Sequence, residues 1–330
     1  MVKRTILLLL VLVMSVAAEP LATASRELEV EVAPGLRLGA TLEYPSAPGT
    51  YPAVVLVHGS GPNDRDETMP VGLGVIRPFK ELSHALAQAG VVVLRYDKRT
   101  FTLLQAGRWD ELQTITPMDF VSDAQAALAL LVRQPEVDPH RLFVFGHSQG
   151  GTLGPWVAQG RQLAGLVLLA PALLPMREQI EYQAAYQLEV VAKQNIGGQL
   201  DGTMKEIEAA RDTFRQVYAA LDSGQVGPGQ MMAGASREFY LESDRLGAEV
   251  VEKIVTVSSP VLIVNGSEDL KCPERLLRTK ADKLHQKTDL TIFYQEGMVH
   301  ELYGQDYGRF DHTMVARVLE WMDSLVQSQR

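Results

Sequence analysis

A serine becomes a nucleophile when the backbone lifts its hydroxyl clear of its neighbours, and Gly146-His147-Ser148-Gln149-Gly150 has the form that does so. A short apolar run at 141–145 leads straight in, and a helix-compatible stretch begins at Gln149. Strand, sharp turn and helix with Ser at the tip make the nucleophile elbow G-x-S-x-G. The glycines have a steric purpose: side chains two residues either side of a strained serine would collide across so tight a turn. A strand-to-helix turn with a capping Ser has the same local sequence. The assignment therefore depends on partners further along the chain.

The elbow architecture places those partners in the order Ser, acid, His. Val261-Leu262-Ile263-Val264 reads as a strand, and Asn265-Gly266-Ser267-Glu268-Asp269 follows it. An acid just past that strand can hold an imidazole tautomer and stabilise the imidazolium. Asp269 is the choice, with Glu268 as the fallback. His300 lies on the loop beyond the last strand, 290–294, and ahead of the final helix, which makes it the base. The other histidines fit worse: His285 sits in the preceding helix, His312 at the start of the last one, and His84 and His140 too early. His147 adjoins the serine and His58 belongs to a glycine-rich turn.

That turn, His58-Gly59-Ser60-Gly61-Pro62, follows the apolar strand 53–57. Attack on a carbonyl leaves a negative oxygen, and one preorganised N–H donor to it is worth about 2.7–4 kcal/mol. In an elbow site one donor is the residue after the nucleophile, here Gln149, and the other comes from this turn. Ser60 is assigned, with Gly59 as the near alternative. The charged run Asn63-Asp64-Arg65-Asp66-Glu67 reads as a loop held by local ion pairs, with a metal site as the weaker reading. Arg95-Tyr96-Asp97-Lys98-Arg99 reads as scaffold ion pairing.

Strands and helices alternate around these residues. Residues 27–32 and 36–44 predict an antiparallel hairpin turned at Pro34-Gly35. Continuous apolar runs at 53–57, 91–94 and 165–169 suit strands buried on both faces. Phe79, Leu82, Ala85, Leu86 and Ala89 fall at helical spacing, and a second helix follows Thr116-Pro117. Pro155 should kink the helix after the serine or shorten it to a turn or two. The alternation stops over 171–255, where three amphipathic stretches predict a helical insertion that caps the active site. The division is 1–24 signal peptide, 25–170 and 256–330 catalytic core, and 171–255 cap.

The chain has 330 residues, 46% hydrophobic and 22% charged, with formal charge −9. This suits one large α/β domain with an insertion, and an acidic chain without basic runs repels nucleic acid. One cysteine, Cys272, excludes an internal disulfide and a cysteine-based metal cluster, and it reads as a small apolar residue. Lys3-Arg4, an apolar run at 6–18 and small residues Val16-Ala17-Ala18 before Glu19 read as an export signal. The run is short of the roughly 20 residues that span a bilayer. The expected location is periplasmic or secreted, without stable membrane insertion once the signal is cleaved; no pattern specifies an oligomeric state.

With these residues in place, the chain resembles an α/β-hydrolase from about residue 27 to 327. His58-Gly59-Ser60-Gly61-Pro62-Asn63-Asp64-Arg65-Asp66, with Arg95-Tyr96-Asp97-Lys98-Arg99 and Gly146-His147-Ser148-Gln149-Gly150, resembles bacterial carboxylesterases of the serine-aminopeptidase-like branch. The resemblance implies an α/β-hydrolase fold, a mostly parallel central sheet flanked by helices with a helical cap. It puts the nucleophile on Ser148, the acid on Asp269, the base on His300, and the oxyanion donors on Ser60 and Gln149. It implies no metal or organic cofactor, and a small-molecule ester of short to medium acyl chain as substrate. The alternatives are an aminopeptidase, which needs an acidic pocket for the substrate amine (Glu238, Glu242 and Asp244 are candidates), and a non-catalytic binding protein on the same scaffold.

Overall fold

The computed structural model describes residues 19–327; the charged start and apolar run read as an export signal lie outside the described residues. The first strands, β1 (Thr23–Ala33) and β2 (Leu36–Pro45), form the expected antiparallel hairpin. β1 begins inside the segment 1–24, and Leu21 N already donates to Gln88 O at 2.9 Å. β3 (Tyr51–Val57) is followed by a small hairpin, β4 (Met69–Val71) with β5 (Gly74–Ile76), then α1 (Pro78–Gln88) and β6 (Val92–Tyr96). Two short helices, α2 (Arg99–Gln105) and α3 (Trp109–Leu112), precede α4 (Pro117–Leu131), β7 (Val137–His147), α5 (Gln149–Ala158) and β8 (Gly165–Leu169).

The segment after β8 carries α6 (Met176–Gln194), α7 (Asp201–Asp222), a two-residue ribbon of β9 (Met231–Met232) with β10 (Ala235–Ser236), and α8 (Arg237–Thr256). The sheet resumes with β11 (Val261–Gly266), α9 (Glu274–Leu284), β12 (Leu290–Gln295) and α10 (His312–Gln327).

The main sheet has eight strands in the order β1-β2-β6-β3-β7-β8-β11-β12. Only β1 and β2 break the parallel run: β2 pairs antiparallel with both β1 and β6. The central strands read as continuous apolar runs because both faces are covered. Along β3 the faces alternate: Val54 and Leu56 pack with Phe79, Leu82 and Met314 of α1 and α10. Ala53, Val55 and Val57 pack with Phe120, Leu128 and Leu153 of α4 and α5. Each of the valines and the leucine of β3 named here, 0–2% exposed, contributes about 1.5–3 kcal/mol by leaving water. The sheet is therefore a rigid floor, and the loops at its carboxyl edge can be held to fixed positions.

Pro155 neither ends α5 nor cuts it to a turn or two: the helix runs ten residues with the proline inside. The proline forfeits one intrahelical hydrogen bond. Residues 150–158 are all buried, so tertiary packing against β7 and β8 overrides the local penalty.

Candidate active site

The elbow forms as the sequence requires. β7 ends at His147, α5 begins at Gln149, and Ser148 between them has φ 53° and ψ −113°. A left-handed φ in a non-glycine residue costs of order 1–3 kcal/mol and persists only where the surroundings over-determine it. Here Ser148 N donates to Leu169 O at 2.9 Å, while Ser148 O accepts from Thr152 N at 3.1 Å and Ala172 N at 3.4 Å. The glycines are sterically obligatory. A Cβ on Gly146 would stand 2.2 Å from the Gly150 carbonyl oxygen, and one on Gly150 2.1 Å from that of Val57.

Asp269 and His300 meet 31 positions apart in sequence: His300 Nδ1 lies 2.8 Å from Asp269 Oδ2. The other carboxylate oxygen accepts Lys271 N at 2.8 Å and Cys272 N at 2.7 Å. Three donors on a buried carboxylate fix its orientation and that of the ring beside it. A carboxylate only accepts, so Nδ1 carries the hydrogen and Nε2 of a neutral ring keeps its lone pair. Glu268 instead accepts from Gln305 Nε2 at 2.7 Å. His300 and Ser148 line the same cavity. His84 pairs with Glu43, and His285 and His312 sit at the ends of α9 and α10.

The glycine-rich turn abuts the elbow: a Cβ on Gly59 would fall 3.3 Å from Ser148 Cβ. Gly59 N is committed to Glu67 Oε1 at 2.8 Å, which leaves Ser60 of the two amides considered. Ser60 and Gln149 both belong to the cavity wall. Gln149 is the first residue of α5, where backbone N–H groups lack intrahelical acceptors and the helix dipole is positive.

Sequence reasoning missed what lies behind this turn. Glu67, read as part of an ion-paired loop, is 1% exposed and sits between two histidines. Its Oε1 is 3.5 Å from His58 Nδ1, and its Oε2 is 3.2 Å from His147 Nδ1. Neither contact is aligned as a hydrogen bond, so the attraction is one of charge. His147 Nε2 lies 2.9 Å from the main-chain oxygen of His300, an acceptor, so Nε2 carries a hydrogen. Burial works against a charge on His147, but Glu67 outweighs it and holds the imidazole above its ordinary pKa. Burial would likewise raise the Glu67 carboxyl; His147 and His58 hold it well below the carboxylate range instead. The other charges of the loop do form ion pairs, but with distant segments rather than locally: Arg65 with Asp97 and Glu27, Asp66 with Arg95. Asp64 caps the turn at Thr68 N, 2.8 Å away.

The cavity holds about 340 Å³. Its floor is the elbow and the glycine-rich turn, and its roof comes from Met176, Gln179, Ile180 and Gln183 of α6 with Ser243 and Leu246 of α8. Among the described residues α7 contributes nothing to this wall. Glu301 closes one side, bound to Lys271 Nζ at 2.6 Å and Tyr307 Oη at 2.9 Å. Burial alone would raise its pKa, but Lys271 and His300 bring it down to about 2. Glu238, Glu242 and Asp244 are not part of the wall; Asp244 accepts from Arg177 N at 2.9 Å.

The fold and this site define an α/β-hydrolase. The family model for serine aminopeptidase, S33, matches residues 75–306, and the chain belongs to that family. It is 26% identical over 291 residues to esterase EstD of Thermotoga maritima, a match that takes in 85% of this chain and 64% of that one. Two further curated relatives are matched over 48% of their length. Among solved structures, Est1E from Butyrivibrio proteoclasticus superposes with TM-score 0.54 at 17% identity, covering 91% of this chain and 98% of that one. The α/β hydrolase GrgF from Penicillium sp. sh18 gives TM-score 0.56 at 16% identity, covering 92% and 99%. At these identities the two structures speak for the fold alone.

Proposed function

We propose that the protein is a serine hydrolase that cleaves carboxylic esters of short to medium acyl chain. The observation that carries this reading is the Asp269–His300 contact at 2.8 Å, opening on one cavity with the elbow serine. His300 takes the proton of Ser148 as the hydroxyl attacks the ester carbonyl, and Asp269 keeps the ring oriented and supports its charge. The amides of Ser60 and Gln149 hold the oxyanion. Collapse expels the alcohol, protonated by His300, and leaves an acyl-Ser148 ester. Water activated by the same histidine then releases the acid.

The cavity walls favour esters over free aminopeptides. The two wall carboxylates, Glu67 and Glu301, are committed to His58 with His147 and to Lys271 with Tyr307. An incoming ammonium would find no free acid among the described wall residues. We assign 171–255 as the cap, since α6 and α8 roof the site, and read the segment before residue 19 as directing export. The similarity to an esterase supports the same substrate class.

Ser148→Ala should abolish hydrolysis of p-nitrophenyl butyrate and labelling by a fluorophosphonate while the fold remains. A variant that keeps most of its turnover sinks the nucleophile assignment. Preference for an aminoacyl anilide over the simple ester would move the reading to the peptidase.

A further inference from the structure

Lys98 differs from the charges around it. Arg65, Arg95 and Arg99 each meet a carboxylate within 3 Å. Lys98, 4% exposed, meets none at salt-bridge distance among the described residues. Its ammonium donates to the Gly59 carbonyl at 2.6 Å and to Gln149 Oε1 at 2.9 Å, and lies 4.4 Å from the centre of the Phe120 ring. A buried cation without a counter-charge is costly to keep. Its two acceptors are the residues that flank the oxyanion site.

The Gly59 carbonyl and the Ser60 N–H are opposite ends of one conjugated peptide group. A cation on the oxygen draws electron density from the amide and strengthens its N–H as a donor. We propose that Lys98 is an electrostatic positioning residue of the oxyanion site: its ammonium polarises the peptide joining Gly59 to Ser60 and fixes the Gln149 side chain. The proposal rests on Ser60 and Gln149 as the oxyanion donors. It goes beyond that reading by placing a positive charge behind the donors, where it acts on developing charge without touching substrate.

The charged groups facing Lys98 are Glu67, which carries His58 and His147 on its other sides, and Asp123 of α4, which is paired with Arg99. Burial lowers the Lys98 pKa to about 7, with Glu67 and Asp123 opposing. Below that pH the ammonium is present and the amide is polarised; above it the charge is lost. The kcat/KM of the free enzyme should therefore fall on the alkaline side as well as in acid, where a protonated His300 cannot accept the serine proton.

The test follows p-nitrophenyl butyrate hydrolysis, corrected for spontaneous cleavage, over about pH 5–10. Lys98→Gln keeps an N–H donor without charge, and Lys98→Met removes both. Lys98→Gln should lower kcat about tenfold near pH 6.5 with KM unchanged, and lose the alkaline limb; Lys98→Met should be slower still. Wild-type kcat and pH profile in Lys98→Gln overturn the proposal. So does a folded Lys98→Arg variant as slow as Lys98→Gln, since it keeps the charge. Activity surviving in Ser148→Ala would strike the nucleophile assignment instead, so the two failures are distinct.

Discussion

Two imidazole–carboxylate pairs stand side by side at the head of the sheet, and they are not equivalent. His300 with Asp269 and His147 with Glu67 have ring centroids 4.9 Å apart. In the first, the carboxylate is tied down by two backbone amides; both rings share the cavity wall with Ser148. In the second, both ring nitrogens are engaged, one by Glu67 and the other by the main-chain oxygen of His300. On the proposed function His300, held at Nδ1 by Asp269, moves the serine proton, whereas His147, engaged at both nitrogens, holds structure. The proposed function thus gives the same two functional groups different tasks, chemistry in one place and positioning in the other, and a main-chain oxygen occupies Nε2 of His147.

Asp269→Asn is the largest expected break in that comparison. An amide in place of the carboxylate stabilises the wrong tautomer of His300, and the analogous change in a well-studied serine protease lowers kcat about 10⁴-fold with the geometry intact. Single-turnover kinetics of ester hydrolysis should show the loss in the acylation step. A variant within tenfold of wild type would show that His300 does not depend on this acid.

Glu67→Gln should invert the pattern, with stability falling first. Removing one partner of a buried pair costs about 3–5 kcal/mol. The sign with pH follows from both groups. The Glu67 pKa is depressed, so its contribution is present above the unfolded carboxyl value of about 4.3 and is lost as pH falls through the lower folded value. The His147 pKa is raised, so its contribution is present below the unfolded imidazole value of about 6.5 and is lost as pH rises through the folded one. Urea unfolding should thus show wild type and variant furthest apart between about pH 4.3 and 6.5. A constant difference across the range would remove charge from the account of this pair.

Much of the first pair was legible in the sequence and almost none of the second. The elbow glycines, the acid beyond β11 and the histidine beyond β12 stand in a fixed chain order, and strand ends are readable from apolar runs. Glu67 sits in the polar run 63–67, where Asp64 bonds locally while Arg65 and Asp66 pair with Asp97 and Arg95 some thirty residues on. Nothing in composition says that its own side chain turns inward; its backbone has φ 52°, a left-handed conformation no sequence pattern announces. Lys98 is similar, since charges around it pair as read while it points beneath the turn. Of the two effects expected of Pro155, the shortening of α5 does not occur, because burial outweighed propensity. Even so, α1, α4, α8 and the sheet strands lie close to where periodicity puts them.

A third pair supplies the control. His84 Nδ1 lies 2.8 Å from Glu43 Oε1, as close as His300 lies to Asp269, yet the His84 side chain is 52% exposed. Water solvates that ring in the folded and unfolded chain alike, so the contact adds little. Glu43 also keeps Arg95 at 2.9 Å and Ser83 at 2.8 Å, so losing the histidine leaves no buried carboxylate bare. His84→Ala should change unfolding free energy by less than about 1 kcal/mol and leave kcat and KM unchanged. A loss approaching that of Glu67→Gln would mean that distance between the two groups, and not burial, sets their worth. The contrast between the two inner pairs would then need a different cause.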